Sequence, residues 1–484
     1  MKRACSIGLS LALALAFALI FYTFNTPLGP TIGSDNAMYL TLGTALARGY
    51  RPYLDIFDHK GPLLYLLQLL PQALSGGNST LAVFLMELAF LFASLRVLAA
   101  IARTLSVPEA LCQLCYLALG CTLVGGGNLT EEYSALPTLL GLLLALRCFG
   151  GAAADRLPSR AILLGICAGC CALLRVNNAL PLTCFALTLA AALWVRGRMI
   201  EVALAALGTA LGILLAFLPI VLWLLHQGAL SAAFDGTVLH NLRYSAAGDG
   251  SRRAMLLSPY GGKAFLLLAL GAAGAFSLRE KRNGLGIALF SASLAGFVAA
   301  FISRKFYQHY LSIALPTASV GFALAFARLP RRSVRLLGAG IAAICLLWLS
   351  WQGIGVDRER RARLLEMPQF VADARALYDR VPEAERDRFM AYRVEPKWYP
   401  SAGALPCMRH YFLQEILAQA DPAIMDEIVA RFESDPPLWL VIYYNRPFSP
   451  PYDTRVQAIF ETRYAFVDSA GTYQLLRLIP EAGR

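Results

Sequence analysis

Apolar runs long enough to cross a bilayer recur along the chain, and this governs what it can fold into. A hydrocarbon core about 30 Å thick takes about 20 residues of helix. Runs of that order fall at 5–24, 80–102, 108–124, 130–149, 160–176, 178–195, 201–226, 263–278, 284–303, 306–327 and 335–353. Backbone in lipid must satisfy its own hydrogen bonds, so such runs fold as helices rather than as open sheet. The expectation is a mainly α, polytopic membrane protein of about eleven transmembrane helices. Composition agrees: 57% of the 484 residues are hydrophobic and 15% charged, against about 45–50% and about 25% in soluble domains.

A formal charge of +12 suggests nucleic acid until the charges are located. The first run follows Lys2 and Arg3, ends in Phe21, Tyr22 and Phe24, and has no small-residue cleavage site, so it reads as an anchor whose N-terminus is cytoplasmic. Alternate loops then lie inside. They carry Arg103, then Arg147, Arg156 and Arg160, then Arg196 and Arg198, then Arg279, Lys281 and Arg282, then Arg328, Arg331, Arg332 and Arg335. Each obeys the positive-inside rule, and nucleic acid loses its support. Beyond residue 356 charges become dense and apolar runs shrink to strand length. Residues 357–484 hold 17 Lys and Arg against 19 Asp and Glu, whereas the preceding part holds 26 against 12. The expected division is a transmembrane domain at 1–356, with its first outer loop at 25–78, and a soluble α/β domain at 357–484 on the outer face. In the latter, periodicity predicts helices near 358–380, 408–419 and 421–433 and strands at 389–393, 438–444, 464–468 and 473–478, the last two turned at Ala470 and Gly471. Ten of the eleven cysteines sit in or beside apolar runs, including Cys167, Cys170 and Cys171, and read as packing residues. Cys407 alone falls in the exported part, which excludes a disulfide within it.

Polar residues that topology does not require collect on the outer side. Asp35 precedes a helical pattern and occupies an N-cap or first-turn position, where an acid either caps the helix or accepts a proton from a hydroxyl substrate. Farther along the same loop come Tyr39, Tyr53, Asp55, Asp58, His59, Lys60, Gly61 and Pro62, then a short apolar helix at 63–74 suited to the interface. Lys60 either holds an anionic phosphate or snorkels to the headgroups. A second outer loop carries Asn128, Thr130, Glu131 and Glu132. Neighbours on a helix point about 100° apart, so only one of the two acids faces a given site. Farther on lie Arg175 with Asn177 and Asn178, the group Asp235, His240, Asn241, Arg243 and Tyr244, and the group Arg304, Lys305, Tyr307, His309 and Tyr310. Glu87 is an intramembrane acid, and Arg96 lies where it can snorkel. Walker, dinucleotide, HExxH and nucleophile-elbow patterns are absent, so a cytosolic nucleotide has no cradle. An outward site then needs an activated donor available outside, and a sugar on a polyprenyl phosphate is one.

Asp35-x3-Tyr39, Gly49-x2-Pro52-Tyr53-x-Asp55, Asp58-His59-Lys60-Gly61-Pro62-Leu63, Thr130-Glu131-Glu132-Tyr133 and Phe306-Tyr307-Gln308-His309-Tyr310 with Pro316 together resemble the bacterial GT-C membrane glycosyltransferases. These are relatives of protein O-mannosyltransferases and of the lipid A aminoarabinose transferase. The resemblance covers about residues 1–350. It implies a transferase in the inner membrane that moves a sugar, with inversion, from a polyprenyl-phosphate donor to a lipid, polysaccharide or protein hydroxyl on the outer face. Asp35 matches the first-loop acid that acts as general base or lies next to one, and Glu131 or Glu132 the second-loop acid. Lys60, His309 and Tyr310 match positions near the donor phosphate. Asn36 stands where family members often carry a second acid, which puts a metal held by that loop in doubt. A divalent metal is possible, and no other cofactor is indicated. Arg175, Arg243, Arg304 and Lys305 are the further cations available to stabilise a leaving phosphate. A transporter or flippase of lipid-linked saccharides is the competing reading, although alternating access favours a midplane site over polar groups gathered on one side.

Overall fold

The structure is a computed structural model that describes residues 2–149, 156–246, 251–278, 283–328, 331–412, 414–443 and 453–480. Arg279, Lys281 and Arg282, named above, and residue 444 at the end of the strand expected at 438–444 lie outside the described residues. Sixteen helices precede the C-terminal unit. They are α1 (Lys2–Phe21), α2 (Ser34–Ala47), α3 (Pro62–Ser75), α4 (Thr80–Leu105), α5 (Glu109–Gly120), α6 (Thr130–Phe149), α7 (Leu157–Leu174), α8 (Leu180–Val195), α9 (Met199–His226), α10 (Leu230–Phe234), α11 (His240–Ala246), α12 (Arg252–Leu257), α13 (Pro259–Ser277), α14 (Asn283–Ile302), α15 (Leu315–Ala327) and α16 (Arg331–Tyr378). Nine apolar helical segments among the described residues are long enough to cross a membrane. Two of the eleven expected runs differ. The run at 108–124 gives only the twelve-residue α5, because its second half unwinds toward the glycines at 125–127. The run at 335–353 is part of the 48-residue α16, which continues through the helix expected separately at 358–380. The compositional boundary at 356 therefore falls inside one helix.

Local chemistry explains where the helices that carry the site begin and end. Ser79 caps α4 by accepting from the Ala82 amide at 3.2 Å, and Gly76 closes α3 in the left-handed conformation. The runs expected at 160–176 and 178–195 are separate helices: a 3-10 turn at Val176–Ala179 divides α7 from α8. Helices α7 and α9 pack through small residues, since a Cβ on Gly165 or Gly212 would run into backbone atoms of the other helix. Such close approach is the main route to helix association without a hydrophobic drive. Arg96 does not snorkel. It donates to the Ser6 carbonyl at 2.9 Å and to the Ser10 hydroxyl at 3.1 Å, tying α4 to α1.

Beyond α16 a small α/β unit contains β1 (Phe389–Ala391), α17 (Trp398–Ala402), α18 (Gln414–Ala420), α19 (Ala423–Ser434), β2 (Trp439–Tyr443), α20 (Thr454–Arg463), β3 (Tyr464–Ala470) and β4 (Tyr473–Leu478). The sheet order is β1-β2-β4-β3, with β1 and β2 parallel and the other pairs antiparallel. All four expected strands are present, and Gly471, at φ +54°, makes the expected turn of the closing hairpin. Helix α20 was not foreseen, and α18 starts later than expected. One continuous apolar core joins this unit to the first outer loop: Met38, Tyr39, Leu42, Tyr53 and Phe57 pack with Tyr399, Tyr411 and Phe412.

Candidate functional site

The loop between α2 and α3 is held rigid before it presents any chemistry. Tyr53 sits in the left-handed region at φ +61°, and its ring stacks on Tyr65 at 4.2 Å. The Tyr53 hydroxyl donates to the Lys60 carbonyl at 2.8 Å, and the Tyr65 hydroxyl donates to the Asp58 carbonyl at 2.8 Å. Gly61 then lets the chain pass against the end of α7, where a Cβ would strike the Leu173 carbonyl. These contacts bring Lys60 to the top of α7.

Lys60 Nζ lies 3.6 Å from the fully buried Asp58 carboxylate and 3.2 Å from His59 Nε2. Burial disfavours the ammonium, but Asp58 and then Asp35 outweigh it and hold the Lys60 pKa above its ordinary value. His59 is pushed well below the usual imidazole range by burial and then by Lys60, so it is neutral and can accept from the ammonium. Across from this group, Arg175 bonds to Glu131 at 2.7 Å and lies 3.9 Å over the Tyr310 ring. Thr130 donates to the other Glu131 oxygen at 2.9 Å. His309, edge-on to Tyr310, is within electrostatic reach of Glu131, Asp35, Arg175 and Lys60. Asp35 sits half-buried in the first turn of α2 and accepts no hydrogen bond from side chain or backbone among the described residues.

Lys60 and Arg175 close one end of a cavity of about 580 Å³. Its walls are apolar, formed by Leu173 and Leu180, by Phe217, Ile220 and Leu224 of α9, and by Phe234 and Val238. Asn241 lines it near the polar end and donates to the His59 carbonyl at 2.7 Å. Tyr244 stacks on His59 at 5.4 Å, and Lys305 Nζ stands 5.4 Å over the Tyr244 ring. Arg304 is half-buried beside Ser303, which lines the same cavity.

Other expected site residues lie elsewhere. Asp55 takes Arg51 at 2.8 Å at the protein surface. Arg243 pairs with Asp421 of the C-terminal unit and lies 3.8 Å from Asp235, so it faces that unit rather than the Lys60 end of the cavity. Glu132 shares with Glu87, Tyr22 and Tyr116 a small enclosed space of about 20 Å³. Glu131 lines that space as well, and its carboxylate is the one that reaches the cations, through the 2.7 Å bond from Arg175. Tyr53 and Tyr39 are buried supports, Tyr39 lying 6.0 Å from Lys60 Nζ. Among the described residues no group of three or more His, Cys, Asp or Glu side chains converges on a point, and Asn36 contributes an amide where a second acid would be needed.

Behind Asp35 runs a buried amide ladder that periodicity did not reveal. Asn25 donates to Asn36 at 3.0 Å and to Glu87 at 2.9 Å, and Asn128 donates to Asn36 at 2.8 Å. Gln68 and Tyr133 both donate to Asn128, at 2.7 and 2.5 Å. The ladder locks α2, α3, α4 and the loop before α6 around the first turn that bears Asp35. Gln68 and Gln72, polar residues within the apolar α3, were the available signal.

Fold and site together define a polytopic helical membrane protein with a polar centre at the end of an apolar cavity. Two solved structures share that fold. ArnT from Cupriavidus metallidurans bound to undecaprenyl phosphate aligns over 97% of this chain and 98% of that one, at a TM-score of 0.63 and 14% identity. The apo state of the same protein aligns over 98% of each chain at 0.61, again with 14% identity. No protein-family model and no curated protein matches the sequence.

Proposed function

We propose that the protein is an inner-membrane glycosyltransferase that takes a sugar from a polyprenyl-phosphate donor and passes it to a hydroxyl acceptor, with inversion, on the outer face. The observation that carries this reading is the apolar cavity ended by Lys60 and Arg175, with Asp35 within electrostatic reach of Lys60. A long isoprenoid fits the apolar wall, and a phosphate fits two cations held at a fixed position. The ArnT structure with undecaprenyl phosphate supports the same class of ligand for this fold.

In this reading Asp35 takes the proton of the acceptor hydroxyl as its oxygen attacks the anomeric carbon. The bond from that carbon to the phosphate oxygen breaks, and the polyprenyl phosphate leaves with the electron pair. Lys60 and Arg175 stabilise the charge that collects on it, and charge-assisted bonds of this type are about twice as strong as neutral ones. Glu131 keeps the Arg175 guanidinium in place. Inversion needs one essential carboxylate, and Asp35 accepts no hydrogen bond among the described residues.

General-base action is worth about a hundredfold to ten-thousandfold. Asp35→Asn is expected to lower transfer from a polyprenyl-phosphate sugar by at least about a hundredfold while undecaprenyl phosphate still binds. Full transfer by the purified variant would overturn the assignment.

A further inference from the structure

A second cavity, of about 730 Å³, shares no residue with the first. It lies between α1, α5 and α16, and its walls are Leu13, Ala16, Ile20, Leu117 and Ile354. One end is charged instead of apolar: Asp357, Arg358, Arg360 and Arg361 of α16 line it together with Leu28. Arg360 fixes which face this is, because it donates to the carbonyls of Leu28 and Gly29 in the loop that leads to Asp35. The charged mouth therefore opens on the same side as Asp35.

The charges there do not cancel. Asp357 takes Arg361 at 2.6 Å and Glu359 takes Arg363 at 3.8 Å, each one helical turn apart. Arg360 is satisfied by neutral carbonyls. Arg358 is exposed, and no acidic partner for it is found among the described residues. Two positive charges thus remain at the water-facing end of an apolar groove. Cations on this side are not explained by the positive-inside rule when the first span runs outward.

We propose that this groove binds an anionic glycerophospholipid of the surrounding membrane, one acyl chain along α1 and α16 and the phosphate on Arg358 and Arg360. Net positive charge selects an anionic headgroup over a zwitterionic one, since anionic lipid surfaces attract each such Arg. The bound headgroup abuts Leu28 and Gly29, where Gly29 has φ +110° and its chain rests against Leu364. It therefore braces the segment that enters α2. The site is independent of the donor cavity and of what the protein transfers.

Native mass spectrometry of the full-length protein in detergent, titrated with phosphatidylglycerol and with phosphatidylcholine of the same chains, tests this. One phosphatidylglycerol should be retained with about tenfold preference, the size of one charge-assisted contact. Two variants isolate the site. Arg358→Gln removes the unpaired cation, and Gly353→Leu fills the groove, where a Cβ meets only Ile20 at 3.4 Å. Both should lose the preference while retaining undecaprenyl phosphate as well as the parent does. Equal retention of the two lipids by the parent overturns the proposal, as does unchanged preference in either variant. A dimer that buries this face and sheds the lipid also overturns it.

Discussion

Lys60 is charged in a place where burial opposes charge, and it is so because Asp58 lies beside it with no exposure to solvent. Lys60 is thus a fixed cation rather than a titrating one. Lys60→Met keeps the aliphatic stem and should weaken undecaprenyl phosphate binding by about tenfold to a hundredfold, the range of one charge-assisted contact. Pairing it with Asp58→Asn, which removes the stranded carboxylate, should restore thermal stability without restoring binding. Recovery of binding in the double variant would remove Lys60 from the site. The neighbouring imidazoles behave oppositely. Burial depresses His59 and brings His240 down to about 4, so both are neutral in the native protein at pH 7. Between about pH 6.5 and 4 the unfolded chain binds protons that these buried rings refuse, so stability falls as pH drops through 6.5. Melting temperature should therefore be lower at pH 5.5 than at pH 7.5, and His240→Phe should lose part of that difference. The local block around Asp58, His59 and Lys60 was legible as chemistry. The role of Asp58 was not, because spacing along a turn does not say which side chain turns inward.

At the scale of elements, length and hydropathy were enough to locate nine membrane-length segments, and they failed where continuation or unwinding decides the outcome. Gly353 and Gly355 weaken the helix without ending it, so α16 runs on into the C-terminal unit. The amide ladder was equally hidden, since Asn25, Asn36, Gln68 and Asn128 come from four separate segments and only the packed structure joins them. Its consequence is mechanical. Asn128 occupies the left-handed region at φ +61° and donates to Asn36 and Gln68, so Asn128→Asp preserves shape and backbone tolerance while removing both donors. An unsatisfied buried group costs about 1–3 kcal/mol, and more when charged. Thermal unfolding should show a loss of at least about 2 kcal/mol on that basis. A variant as stable as the parent would mean that water replaces the lost bonds and that the ladder does not brace Asp35.

On the scale of the whole molecule, the C-terminal unit is part of the wall around the first outer loop. Tyr411 donates to the Met38 carbonyl at 2.8 Å, the Phe57 amide donates to the Arg409 carbonyl at 3.0 Å, and Asn78 donates to the Pro400 carbonyl at 2.7 Å. Arg243 reaches Asp421 from the other side. Met38 and Tyr39 belong to the helix that carries Asp35, and Phe57 lies three residues before Lys60. Removing the unit would expose Tyr53, Phe57 and Tyr39, each at most 3% exposed in the full chain, and would leave the Lys60 turn without its outer support. Apolar surface of that size in water is costly, about 25 cal/mol for each Å². A chain ending at residue 378 keeps the full length of α16, Lys60, Arg175 and Asp35, and it is expected to insert in the membrane yet to lose undecaprenyl phosphate binding. Hydrogen exchange should place the change in residues 50–61, which become unprotected, while α7 and α9 stay as protected as in the parent. Undiminished lipid-phosphate binding by the truncated chain would show that the membrane part organises the site alone, and the shared core would then serve only to dock the C-terminal unit.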